Sequence, residues 1–152
     1  MYFAVVALFM LVLPVGSICL GIFAFGAAWS AILVAKWFVL WSIGARLSLA
    51  GVRQIIQPRY TATVILSLKH EESLVLVREL GFANVALGLV GLACWLFPAW
   101  IPAAALAGAV FYCLAGFGHL LQPHRNKFEN LAMVSDLFVG CVLAAALIGV
   151  LS

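Results

Sequence analysis

The chain has 152 residues, which is enough for one domain. It is 67% hydrophobic and 9% charged, whereas an ordinary soluble domain is about 25% charged. The mean hydropathy of +1.24 excludes a soluble globular protein, and a disordered chain would need low hydrophobicity and a high net charge. The sequence therefore predicts an all-α integral membrane protein.

The net charge of +3 comes from eight Lys and Arg residues and five Asp and Glu residues. These charges form no basic run, so the sequence excludes a nucleic-acid-binding surface. The cysteines Cys19, Cys94, Cys113 and Cys141 stand in separate apolar stretches without CxxC spacing, and we interpret them as small buried hydrophobic residues. The N-terminus lacks the basic region of a signal peptide, so we expect no cleaved leader.

Five membrane spans in one domain, residues 1–152, are predicted because a crossing helix needs about 20 apolar residues. Residues 1–35 carry no charge. That stretch is too long for one upright span and too short for two with a turn, so we predict one long helix that is tilted or is kinked near Pro14 and Gly16. Arg46 and Arg53 interrupt the second span, for which an interfacial or re-entrant segment is the alternative. The predicted spans are 3–35, 37–57, 74–97, 102–121 and 130–151.

The distribution of positive charge predicts the orientation. Lys36 separates the first two spans, and residues 58–73 form the longest polar loop. With five spans, six Lys and Arg residues flank one membrane surface and Lys36 the other, so the first surface is expected to be cytoplasmic. We predict a protein of the bacterial cytoplasmic (inner) membrane. Its N-terminus and the 58–73 and 122–129 loops are cytoplasmic, and its C-terminus is outside.

Glycine is concentrated in the third and fourth predicted spans. Small residues in membrane helices allow two backbones to approach closely, so we interpret these glycines as sites of tight helix packing. They are Gly81, Gly88, Gly91, Gly108, Gly116 and Gly118.

Ionisable side chains in a membrane cost at least about 2.5 kcal/mol each at a helix centre, so they face the bundle interior, pair with one another or mark a site. Arg46 and Arg53 are seven residues apart and share one helix face, and their charges balance those of Glu79 and Asp136. We predict an internal cluster of Arg53, Glu79 and Asp136, with His119 beside it. The full predicted ligand-binding or polar cluster is Arg46, Arg53, Gln54, Glu79, Asn84, Tyr112, His119 and Asp136.

This cluster has two interpretations. Buried pairs of arginine and carboxylate often only fix the register of packed helices, whereas four ionisable groups in one leaflet exceed what register requires. Arg46 is the strongest indication of a binding site, because it is expected near the midplane of the bilayer. Its charge needs a carboxylate, carbonyl groups, water or an anionic ligand as a partner there. No metal site is expected, because no two ligands share an i, i+3 or i, i+4 spacing, and no catalytic residue is identified.

Two stretches carry a resemblance to known families. Residues 42–60 read SIGARLSLAGVRQIIQPRY and residues 78–91 read RELGFANVALGLVG; they resemble the opening helix and the next helix of DoxX-like proteins. The RELGFAN stretch and residues 129–136, ENLAMVSD, also resemble a family of small bacterial membrane proteins of unknown function, over about residues 36–140. The DoxX likeness covers residues 37–152 and implies a four-helix bundle preceded by an extra N-terminal helix.

The DoxX name comes from a membrane component of thiosulfate–quinone oxidoreduction, so the resemblance implies a quinone-linked role. The first hypothesis is a membrane protein that binds a quinone or lipid-like ligand in a redox-linked complex, with Tyr112, Trp95 and Arg46 at the cavity. The alternatives are a structural or assembly subunit of a membrane complex, packed against a protein partner or a second copy, and a transporter of small solutes or protons. Whether the chain is an enzyme is left open.

Overall fold

The structure, a computed structural model, describes residues 2–152. Over these residues the chain is helical, and five helices are long and apolar enough to cross a membrane. The predicted all-α class and the five apolar helices are confirmed. In chain order the helices are α1 (Tyr2–Phe25), α2 (Ala31–Ile56), the short α3 (residues 58–65), α4 (Ser73–Ala93), α5 (Pro98–Leu120) and α6 (Lys127–Leu151).

The single long helix predicted for residues 3–35 is wrong. Helix α1 ends at Phe25 because Gly26 adopts the left-handed conformation, with φ 66° and ψ 21°, which glycine accepts without the steric penalty of a Cβ atom. The chain then turns, and Ser30 caps the next helix: its hydroxyl accepts a hydrogen bond from the Leu33 N–H at 3.3 Å. The uncharged stretch is therefore one complete helix, a turn and the start of a second helix.

The predicted kink in α1 takes the form of a widened turn. Pro14 lies inside the helix and is buried, although proline has no N–H to donate to the preceding turn. The residues just before it, Leu8–Val12, form a π-helical turn. Such a turn changes the hydrogen-bond pattern locally, so the helix passes through the proline without ending.

Helix α2 is the centre of the bundle, because it contacts α1, α4, α5 and α6. It begins at Ala31 rather than at residue 37 and therefore contains Lys36. Its 26 residues extend for about 39 Å at 1.5 Å per residue, which is enough to cross a hydrocarbon core about 30 Å thick. This length and the central position of α2 favour a full span over the interfacial or re-entrant alternative.

Close backbone contact joins α2 to α4. A Cβ atom placed on Gly91 would lie 2.6 Å from the backbone nitrogen of Gly44, and one on Gly51 would lie 2.6 Å from the carbonyl oxygen of Gly81. The tight packing predicted for the glycines of α4 is confirmed. Gly118 is different, because nothing lies within 4 Å of the position its Cβ would take.

The segment predicted as the long polar loop, residues 58–73, begins with a helix instead. Pro58 starts α3 after the backbone bends at Gln57, as suits a residue with a fixed φ and no N–H. α3 packs Ile65 inward, and the Ile65 carbonyl oxygen accepts a hydrogen bond from the Asn126 amide at 3.0 Å. The loop proper is therefore short, residues 66–72, and α3 lies against the bundle.

The last three spans begin or end a few residues away from their predicted limits. Helix α4 stops at Ala93, and a turn leads to Pro98 at the start of α5. Helix α6 starts at Lys127 because Asn126 and Glu129 form a capping box. The Asn126 amide oxygen accepts from the Glu129 N–H at 3.0 Å, and the Glu129 carboxylate accepts from the Asn126 N–H at 2.8 Å.

The two ends of the bundle differ in charge. At one end the ring of Tyr2 lies 5.6 Å from that of Phe128, so the start of α1 meets the start of α6. We call this the arginine end, because Arg53, Arg59, Arg78 and Arg125 belong to the helix ends and loops there. At the opposite end the Lys36 amine lies 4.9 Å from the centroid of the Trp95 ring. Most of the Lys and Arg residues therefore lie at one end of the bundle.

Candidate functional site

A groove at the arginine end lies between α1, the second half of α2 and α3. Its cavity has a volume of about 510 Å³, within the range of about 300–1,000 Å³ that is usual for small-molecule sites. Thirteen residues line it: Tyr2, Val5, Arg46, Leu49, Ala50, Val52, Arg53, Gln54, Ile56, Gln57, Tyr60, Thr61 and Ile65.

One face of α2 forms the floor of this groove. Arg46, Leu49, Ala50 and Arg53 follow the i, i+3, i+4, i+7 pattern that places side chains on one face of a helix. The bend before α3 folds the chain back, so that Tyr60 lines one side of the groove. The first turns of α1 line the other side. The groove therefore depends on the proline that redirects the chain.

Among residues 2–152 no carboxylate oxygen lies within 4.0 Å of a side-chain nitrogen of Arg46 or Arg53. The guanidinium carbon of Arg53 lies 3.7 Å from the centroid of the Tyr60 ring, and that of Arg46 lies 5.9 Å from the centroid of the Tyr2 ring. The Nε atom of Arg46 is buried and has no hydrogen-bond partner in the part of the chain that is described. Over residues 2–152 the one salt bridge is on the exposed surface and involves neither arginine. Two positive charges thus face the groove, held by aromatic rings rather than carboxylates.

The groove is open sideways. Leu49, Val52 and Ile56 line it and yet are 51, 47 and 71% exposed. These exposed side chains make an apolar opening on the outer surface of the bundle.

Gln54 lines the groove and also contacts helix α4 behind it. The amide nitrogen of Asn84 on α4 donates a hydrogen bond to the Gln54 side-chain oxygen at 2.8 Å, and both side chains are buried. The Asn84 side-chain oxygen has no partner within residues 2–152. The pair therefore fixes the rotation of α2 against α4 next to the groove.

We expect Asn84→Leu to lower the free energy of unfolding by about 0.6 kcal/mol, the average measured for hydrogen bonds between membrane helices, and by at most about 1.7 kcal/mol. Each single substitution leaves the other amide without this hydrogen bond, so Gln54→Leu should cost a similar amount. The double substitution should cost less than the sum of the two, as measured by unfolding in bicelles. Additive losses would show that the two amides do not interact.

Tyr112 and Asp136 lie on other helices and do not line the groove. The Tyr112 hydroxyl donates to the carbonyl oxygen of Ser42, which links α5 to α2 deep in the bundle. Asp136 on α6 is half-buried, and Arg46 is the basic group whose field reaches it, but no nitrogen of Arg46 lies within 4.0 Å of its carboxylate. These two residues form a polar region behind Arg46 rather than part of the groove wall.

Glu79 and His119, which were predicted for the polar cluster, lie outside the groove. Glu79 is exposed on the outer surface of α4, so the expected internal cluster of Arg53, Glu79 and Asp136 is not formed. His119 is half-buried at the end of α5, and its carbonyl oxygen accepts a hydrogen bond from Arg125 at 3.1 Å. The error arose because α4 exposes apolar residues to lipid as well as to the core, so its sequence does not indicate which face is inner.

Several residues of the groove were not predicted. Tyr2, Tyr60 and Thr61 all line it, and Tyr60 stacks on Arg53. Pro58 is the residue from which the position of Tyr60 could have been predicted. A proline at the start of a helix indicates that the chain turns there and does not continue as a polar loop.

Within residues 2–152 no three His, Cys, Asp or Glu side chains are grouped closely enough to hold a metal ion. The interpretation of the cysteines as buried holds for Cys94 and in part for Cys113. It is wrong for Cys19 and Cys141, which are exposed on the outer surface of their helices.

The chain matches a family model described as a family of unknown function (DUF6790) over residues 4–151, and it belongs to that family. The predicted membership in a family of unknown function is thereby confirmed. No curated protein and no solved structure matches the chain.

Proposed function

For this member of a family without an assigned activity, we propose a role as an integral membrane protein that binds a lipid-like ligand in the groove between α1, α2 and α3. The observation that carries the proposal is the pair of arginines without acidic partners in an apolar groove that opens sideways. A charged side chain is costly in a membrane, and no carboxylate forms an ion pair with either arginine within residues 2–152, so a polar or anionic ligand would supply the missing partner. The groove combines an apolar wall with a few polar groups, as small-molecule sites generally do.

A quinone is one of the ligands to be tested. The resemblance of residues 42–60 and 78–91 to DoxX-like proteins supports a quinone ligand, because this resemblance implies a redox-linked complex in the bacterial inner membrane. Arg46 could donate to a quinone carbonyl, and the apolar opening of the groove suits an isoprenoid chain. In this proposal the arginine end faces the cytoplasm, since most Lys and Arg residues lie there.

The test is to fill the groove. Ala50 lies on its floor between the two arginines, and Ala50→Phe adds a ring where the ligand would lie. Ala83→Phe is the matched control, because Ala83 is exposed on α4 and does not line the groove. Each protein is purified into nanodiscs made with a native lipid extract and released in a native mass spectrometer.

We expect the wild-type chain and Ala83→Phe to retain an added mass of a lipid or quinone, and Ala50→Phe to lose most of it. Circular dichroism and size-exclusion chromatography establish that all three proteins are folded. A bound mass that survives Ala50→Phe would place the ligand elsewhere. Bare protein in all three samples would overturn the proposal.

A further inference from the structure

The charges that line the groove have one sign. Arg46 and Arg53 are its two ionised side chains, and the lining includes no aspartate or glutamate. Its remaining polar residues are neutral amides, hydroxyls and phenols. We infer that the occupant is a phospholipid with a net negative headgroup, whose phosphate lies between the two guanidinium groups and whose acyl chains leave through the apolar opening. This inference rests on the proposed function and names the class of ligand.

Guanidinium groups favour phosphate because their N–H donors match its oxygens in pairs. Arg53 is three residues from Ile56 at the end of α2, which places its Cα about 5 Å from the helix end at 1.5 Å per residue. A helix of 26 residues exceeds a hydrocarbon core about 30 Å thick by about 4–5 Å at each end, so Arg53 lies near the edge of that core, next to the headgroups. Arg46 begins deeper, but its guanidinium lies 5.9 Å from the centroid of the ring of Tyr2, which belongs to the first turn of α1 at the same end. Both cations therefore point toward the headgroup region.

A zwitterionic headgroup fits this groove less well. Its ammonium group would need a carboxylate or a free aromatic face. No acidic residue lines the groove, and the ring of Tyr60 is already covered by Arg53 at 3.7 Å. The Tyr2 ring lies beside the second guanidinium. Among the lining residues an added ammonium group would therefore meet two like charges and no partner, whereas a phosphate with an uncharged substituent would meet only opposite charges.

The experiment compares lipids of equal chain length in nanodiscs of phosphatidylcholine that contain equal small fractions of phosphatidylglycerol, phosphatidylethanolamine or ubiquinone. Native mass spectrometry counts the molecules that remain on the protein. For the wild-type chain we expect phosphatidylglycerol to be retained about tenfold over phosphatidylethanolamine, a difference of about 1.4 kcal/mol that reflects the repulsion between the ammonium group and the two guanidinium groups. Arg53→Gln should abolish that preference, and Arg53→Lys should keep part of it.

Arg78→Gln is the matched control for charge, because Arg78 is exposed on α4 at the same end and does not line the groove. It should leave the preference unchanged. Arg46→Gln is a second test of the groove, and Arg53→Gln, nearer the helix end, keeps the inference testable if Arg46→Gln does not fold.

Equal retention of all phospholipids, or retention of ubiquinone alone, would overturn the inference and leave the proposed function standing. A preference for phosphatidylglycerol that survives both glutamine substitutions would also overturn it. Absence of every adduct would overturn both.

Discussion

Gly51→Ala is expected to lower the free energy of unfolding by about 1–3 kcal/mol, the usual cost of overpacking a tight contact. A methyl group at this position would lie 2.6 Å from the carbonyl oxygen of Gly81 and 2.8 Å from the backbone nitrogen of Val85. Both atoms belong to the backbone of α4 and cannot rotate away as a side chain can. Helix α4 must therefore move outward, which weakens its contact along α2.

The comparison that isolates this effect is Gly16→Ala. Gly16 also lies in the interior of a membrane-spanning helix, but nothing stands within 4 Å of the position that its Cβ would take. Alanine is favoured over glycine in a helix by about 0.5–1 kcal/mol, so this substitution should leave stability unchanged or raise it. Both variants are measured by reversible unfolding in bicelles. Equal stability of Gly51→Ala and the wild-type chain would show that α2 and α4 are not held in backbone contact.

The sequence was sufficient to predict the helices but not every boundary between them. Span lengths and charge spacing predicted five apolar helices, and the glycines of α4 predicted close packing. The break at Gly26 was missed because glycine also occurs inside α1, at Gly16 and Gly21, so its identity alone does not indicate a left-handed turn. Ser30 was the residue that could have indicated the start of a second helix, because serine often caps the N-terminus of a helix.

Of the residues predicted for the polar cluster, those on α2 line the groove and those on the other helices do not. The seven-residue spacing of Arg46 and Arg53 correctly predicted that both lie on one face of the helix, and both line the groove. Glu79 was wrongly placed inside, because the outer face of a membrane helix is as apolar as its inner face and no periodic pattern separates them. The contribution of Tyr2 depends on how α1 packs against α2, which local sequence does not specify.

We expect single cysteines placed at the two ends of the bundle to differ completely in their reaction with a membrane-impermeant maleimide, because the two ends face opposite sides of the membrane. Ala28 is exposed in the turn between α1 and α2, and His70 is exposed in the loop before α4. The two positions lie at opposite ends of the bundle. In right-side-out membrane vesicles, a membrane-impermeant maleimide should label Ala28→Cys and leave His70→Cys unlabelled.

The reason for this expectation is the excess of Lys and Arg at the arginine end, since positively charged short loops stay on the cytoplasmic side during insertion. The four native cysteines are replaced by alanine so that labelling reports one position at a time. Permeabilised vesicles serve as the control, in which both variants should react fully. The reverse pattern would place the arginine end outside, and the groove would then face lipids of the outer leaflet. Labelling of both variants in sealed vesicles would instead indicate insertion in two orientations, and charge would then not fix the topology.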